Sequence, residues 1–110
     1  MRWNVTVIAL FVWVANYSQS NIEVIQYSAG FVKDNEISLK SFRGIETNTL
    51  YISKNKSLFD KRSIKYLPTV VVYHNGEEVI RIESNISLKL PSNTVDLISL
   101  EIEEIIESKF

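Results

Sequence analysis

Apolar and polar positions change period several times along this chain. Val5 to Ala15 is an apolar run broken only by Thr6. It has two readings. A strand covered on both faces is a near-continuous apolar segment, and Val5, Val7, Ile8, Phe11, Val12 and Val14 fit one. The apolar region of a secretory signal has the same length behind a basic start such as Met1-Arg2. Ser18 and Ser20 then supply small residues just before a cut ahead of Asn21. Eleven residues are too few to cross a bilayer as a helix, which takes about 20, so no transmembrane segment is expected. Ser20-Asn21-Ile22-Glu23 then has the form of a capping box, and Ile22, Ile25, Ala29 and Val32 share one helical face. The pattern predicts a helix there, although Ile22-Glu23-Val24 also alternates as a strand would.

Residues 34–47 are polar and irregular, with a turn at Gly44. A short strand over Thr49–Ser53 and a helix over Ser57–Tyr66, capped by Ser57, follow. Thr69 to Tyr73 is a strand, Asn75-Gly76 is the dipeptide best suited to a type I′ turn, and Glu77 to Glu83 alternates as the return strand. After Pro91, Asn93 or Thr94 caps a last helix. Val95, Ile98, Ile102 and Ile105 form its apolar stripe, and Asp96, Glu101, Glu103, Glu104 and Glu107 its wet face. The order is β-α-β-α-β-β-α, with a parallel crossover followed by an antiparallel hairpin. The expectation is one α/β domain over residues 1–110, a four-stranded mixed sheet with three helices on its two faces.

Composition narrows the chemistry. A hydrophobic fraction of 45% supports a packed core, and a net charge of −1 provides no field for steering onto nucleic acid. No cysteine is present, so thiolate metal sites and thiol–disulfide chemistry by this chain are excluded. The single histidine excludes a multi-histidine metal centre. No cofactor or metal is expected. Asn-x-Ser/Thr acceptors stand at Asn4, Asn16, Asn55 and Asn85, a pattern that leans toward a secretory route.

The run Ile64-Lys65-Tyr66-Leu67-Pro68-Thr69-Val70-Val71-Val72-Tyr73-His74-Asn75-Gly76-Glu77 resembles the thioredoxin superfamily. Its members carry a helix, an apolar-Pro-Thr step, an apolar strand and an Asn-Gly turn at this spacing. The resemblance implies a thioredoxin-like fold, a cis bond between Leu67 and Pro68, and free backbone groups at Leu67 facing an extended peptide. Stretched over the whole chain, it puts Ala9–Trp13 on the first core strand and Tyr17-Ser18-Gln19-Ser20 where the family has Cys-x-x-Cys. Phe11 then stands where many members bury an aspartate. The chain looks like a thioredoxin, or a non-catalytic domain of the disulfide isomerase type, stripped of its redox apparatus. A thinner similarity is to thioredoxin-fold selenoproteins of the endoplasmic reticulum, through Phe31-Val32 and Phe42-Arg43-Gly44.

These residues carry no catalytic set. A nucleophilic serine needs a base in reach, and His74 is expected at a solvated hairpin tip, away from Ser18 and Ser20. Ser20 reads more simply as a helix cap. Lys54, Lys56, Lys61, Arg62 and Lys65 form a modest basic cluster, read first as a wet face. The resemblance groups Tyr17, Ser18, Ser20, Leu67 and Pro68 as a surface for a peptide or protein partner. The expected function is therefore a redox-inactive binding module. The alternative is a protein of the secretory pathway, secreted or luminal, whose residues 1–20 are a targeting segment; without that segment the location is cytoplasmic. On the thioredoxin register, cleavage after Ser20 would remove a strand from inside the sheet, so the two readings exclude each other.

Overall fold

In the computed structural model of the protein, residues 21–108 are described. They form β1 (Ile22–Ser28), a 3-10 helix η1 (Gly30–Asn35), β2 (Glu46–Tyr51), helix α1 (Ile52–Lys61), β3 (Thr69–His74), β4 (Glu77–Glu83) and helix α2 (Thr94–Ser108). The strands make one mixed sheet in the order β2-β1-β3-β4. β1 is parallel to β2, and the β1–β3 and β3–β4 pairs are antiparallel. The expected α/β architecture, a four-stranded mixed sheet with three helical elements, is present.

The strand at its centre is a correction. Ile22–Ser28 is β1 and not the start of a helix capped by Ser20. Every residue of it except Glu23 is buried, which an amphipathic helix with one wet face does not allow. Burial on both faces wins over the capping-box signal, and β-branched Ile22, Val24 and Ile25 suit the extended backbone. Because β1 already lies between β2 and β3, the position expected for Ala9–Trp13 is occupied by Ile22–Ser28. Val5–Ala15 itself lies outside the described residues.

The polar stretch after β1 is irregular as expected, with Gly44 at φ +77°. β2 and α1 begin earlier than the sequence suggests, at Glu46 and Ile52. No side chain caps α1, and Asn55 inside it has non-helical angles, φ −137° and ψ 32°. The hairpin is as read: Asn75 and Gly76 both take positive φ, at 57° and 83°. α2 buries Ile98, Ile102 and Ile105.

Strand alternation divides the interior in two. Ile22 and Val24 of β1, Val70 and Val72 of β3 and Ile82 of β4 pack under α2, with Phe42 from the irregular stretch. Ile25 and Tyr27 of β1 with Val71 and Tyr73 of β3 pack under α1, which contributes Phe59. Both central strands are thus covered on both sides, the reason they read as continuous apolar runs.

Candidate functional site

The strand ends place the site. Tyr27 of β1 pairs with Thr69 of β3, so Ser28 and the segment Ala29–Phe31 leave the sheet beside Pro68 and Leu67. The parallel partner β2 ends at the same edge, with Ser28 aligned to Tyr51. The Leu67–Pro68 peptide bond is cis. Pro68 is buried, and its carbonyl accepts the Ser84 N–H at 3.2 Å. The Thr69 hydroxyl donates to the Tyr66 carbonyl at 2.6 Å. These bonds hold the corner from the protein side. Leu67 makes no backbone hydrogen bond among the described residues. Phe31 and Tyr66, one on each segment, are 77% and 47% exposed.

A polar layer lies under the segment that follows β1. The buried Ser28 hydroxyl donates to Glu36 Oε2 at 2.7 Å. The neighbouring Glu36 carboxylate, with some desolvation, pushes the Tyr51 phenol above its ordinary range. Gln26, 1% exposed, clamps the chain further on. Its Oε1 accepts the Ile37 N–H at 2.8 Å and its Nε2 donates to the Ile37 carbonyl at 3.0 Å. Both backbone groups of Ile37 are satisfied by one side chain, which fixes the irregular loop against the sheet.

On the opposite face the Tyr27 and Tyr73 hydroxyls are 2.6 Å apart. Arg62 donates from Nη1 to the Tyr27 hydroxyl, and its guanidinium stands 4.9 Å from the Tyr73 ring centre. Burial, and then the bond with Tyr27, pushes the Tyr73 phenol far above the ordinary tyrosine range. Arg81 closes the same face by donating to the Arg62 carbonyl at 2.8 Å and to Glu78 Oε1 at 2.8 Å. These groups are tied to one another and to backbone, an arrangement that locks α1 to the sheet.

Of the residues expected to form the partner surface, Leu67 and Pro68 sit at this corner, while Tyr17, Ser18 and Ser20 lie outside the described residues. Their assignment to the motif loop followed from placing Ala9–Trp13 on the central strand. With Ile22–Ser28 in that place, the segment beside Pro68 is Ser28–Phe31. Likewise the buried polar side chain on the central strand is Gln26, a neutral group. His74 lies at the far end of β3 from Pro68, half-buried rather than solvated, its Nε2 buried without a hydrogen-bond partner among the described residues. Lys54, Lys56, Lys61 and Lys65 are exposed, whereas Arg62 is drawn into the tyrosine pair. No three or more acidic or histidine side chains among the described residues are grouped to hold a metal. Sequence reasoning missed Gln26, Glu36, Phe31 and Tyr66. A lone amide in an apolar run was the available signal for Gln26. The others owe their roles to which loops meet.

No protein-family model matches the chain, and no curated protein does. Solved structures do. A designed protein is 23% identical with a TM-score of 0.59, over 80% of this chain and 84% of that one. An N21Q mutant thioredoxin from Halobacterium salinarum is 15% identical with a TM-score of 0.55, covering 83% of this chain and 76% of its own. Fasciola hepatica thioredoxin is 17% identical with a TM-score of 0.53, covering 91% and 92%. The chain has the thioredoxin fold, and it has it without a cysteine. No described helix is long and apolar enough to cross a membrane.

Proposed function

We propose that this chain is a redox-inactive thioredoxin-fold module that binds an extended peptide or protein segment at the Leu67–Pro68 corner. The observation that carries the reading is the backbone of Leu67, without a hydrogen bond among the described residues, at a corner whose two segments carry the exposed aromatics Phe31 and Tyr66. An extended chain docks on such a strip through main-chain bonds, and flanking aromatics supply contact area at low entropic cost. The absence of cysteine leaves no group for thiol exchange, which fits a module that binds without exchanging disulfides.

The test is a titration of the full-length protein with an unstructured, Leu- and Val-rich decapeptide, followed by amide chemical shifts. Perturbations are expected at Ala29, Gly30, Phe31 and Leu67. Phe31→Ala and Tyr66→Ala are each expected to weaken binding by about tenfold, the size of a moderate interface anchor. Insulin reduction should show no turnover. Shifts confined to another surface, or reductase turnover, would defeat the reading.

A second reading is supported by the sheet. The four strands of the described residues lie between Ile22 and Glu83, so removal of residues 1–20 takes none of these four away. This reverses the expected conflict between a cleaved signal and an intact fold. On this reading the apolar run of Val5–Ala15 is a targeting segment and the mature protein begins near Asn21, in the secretory lumen or outside the cell. N-terminal sequencing of protein recovered from a eukaryotic culture medium is expected to start there. A mature chain retaining Met1 or Arg2 refutes it.

A further inference from the structure

We propose that Asn85 is an N-glycosylation site, the one of the acceptors at Asn55 and Asn85 whose side chain the fold presents for modification. The inference rests on the secretory reading above, because the transferase and its glycan donor face the secretory lumen.

The two acceptors that follow Asn21 are placed differently. Asn55 sits in the irregular turn of α1, half-buried, and its Nδ2 donates to the Tyr51 carbonyl at 3.0 Å. A sugar on that nitrogen would sit against the helix and the end of β2. Asn85 lies in the exposed turn that links β4 to α2. Its Oδ1 accepts the Ser87 N–H at 2.8 Å and the Lys89 N–H at 3.1 Å. Its own N–H donates to the Lys89 carbonyl at 2.9 Å, and its carbonyl accepts the Leu88 N–H at 2.8 Å. Asn35 Nδ2 donates to the Leu88 carbonyl at 2.8 Å and anchors the turn to the body of the protein. The turn therefore consumes the oxygen of the Asn85 amide and both its backbone groups. Nδ2 alone has no hydrogen bond among the described residues.

Two further features fit. Ser87, the third residue of the acceptor, is exposed and enters the turn only through its backbone, so its hydroxyl is open to the transferase. Ile86 between them is 96% exposed, and Leu88 39%. A glycan on Asn85 stands over this apolar turn, which otherwise meets water bare.

The step transfers an oligosaccharide from a polyprenyl-diphosphate donor. Asn85 Nδ2 attacks the anomeric carbon, a C–N bond forms, and the C–O bond to the diphosphate breaks. The diphosphate leaves with the electron pair, and one amide proton passes to a base of the transferase. No oxidant or metal redox change is involved.

The experiment is cell-free translation of the full chain with microsomes, read by protease protection and by an endoglycosidase-sensitive mobility step. Protected chains are expected to carry one such step. Ser87→Ala, which keeps the turn's backbone bonds, and Asn85→Asp, which keeps the accepting oxygen, should each abolish it. Asn55→Gln should leave it intact, and Ser87→Thr should raise its occupancy. A protected chain with no step overturns the proposal and leaves the secretory reading standing. A step that survives Ser87→Ala assigns the sugar elsewhere and also overturns it. A chain that is not protected refutes both.

Discussion

Phe59→Ala is expected to cost about 3–5 kcal/mol, the usual loss for removing a buried aromatic ring. Phe59 is 1% exposed and is the buried side chain that α1 contributes to the sheet. Its ring meets that of Tyr27 edge-on, with centroids 5.1 Å apart and planes at 88°. α1 has ten residues, a break at Asn55 and no side-chain cap, so apart from the Arg62 contacts at its C-terminal end this ring is its main hold on the sheet. The loss is a large share of the roughly 5–15 kcal/mol that keeps a domain folded. The melting midpoint should fall by at least ~12 °C at roughly 4–8 °C per kcal/mol for a domain of this size. Phe59→Leu should recover much of the difference, since it refills most of the volume. Midpoints of wild type and Phe59→Ala within a few degrees of each other would show that α1 does not seal this face.

Gln26→Leu is the second large effect, expected at about 2–4 kcal/mol although the new side chain is apolar and of similar size. The two backbone groups of Ile37 lose their partner together, each at the lower end of the roughly 1–3 kcal/mol for a buried group left unmade, because Ile37 is half-buried. Hydrogen exchange should rise at Ile37 while β1 stays protected. Gln26→Glu keeps an acceptor for the Ile37 N–H but buries a charge beside the Ile37 carbonyl. Burial and the facing carbonyl are expected to raise its carboxyl pKa in the fold relative to the unfolded chain. Protonation therefore favours the folded state, and the deficit of this variant should shrink as pH falls through that raised value. A Gln26→Leu protein as stable as the parent would mean that the loop finds other partners for Ile37.

Both effects trace to residues whose importance the chain order conceals. The hairpin was legible because its signals are local: Asn75 and Gly76 tolerate positive φ, and Val70–Val72 reads as a strand from composition alone. The α2 stripe was legible for the same reason, since Ile98, Ile102 and Ile105 repeat at helical spacing within one element. The resemblance around Leu67–Pro68 was legible because the motif and its flanking elements are contiguous. Ile22–Ser28 was misread because Ile22, Ile25, Ala29 and Val32 satisfy a helical period by chance. Only neighbours on both sides, β2 and β3, make an extended backbone the better burial.

What the amino-acid sequence determined by itself was the α/β class, the β3–β4 hairpin, the last helix, the proline corner and the lack of thiol chemistry. Each follows from residues a few positions apart, where backbone geometry and side-chain type suffice. The tertiary structure alone decided which segment fills the middle of the sheet, and therefore which loop stands beside Pro68. It also decided that Gln26 clamps Ile37 across the intervening loop, and that the nitrogen of Asn85 is open while that of Asn55 is engaged. The first two depend on contacts between segments apart in sequence, whose energies appear only when the chain has closed on itself; the asparagines differ through local turns whose backbone path the residue pattern does not specify.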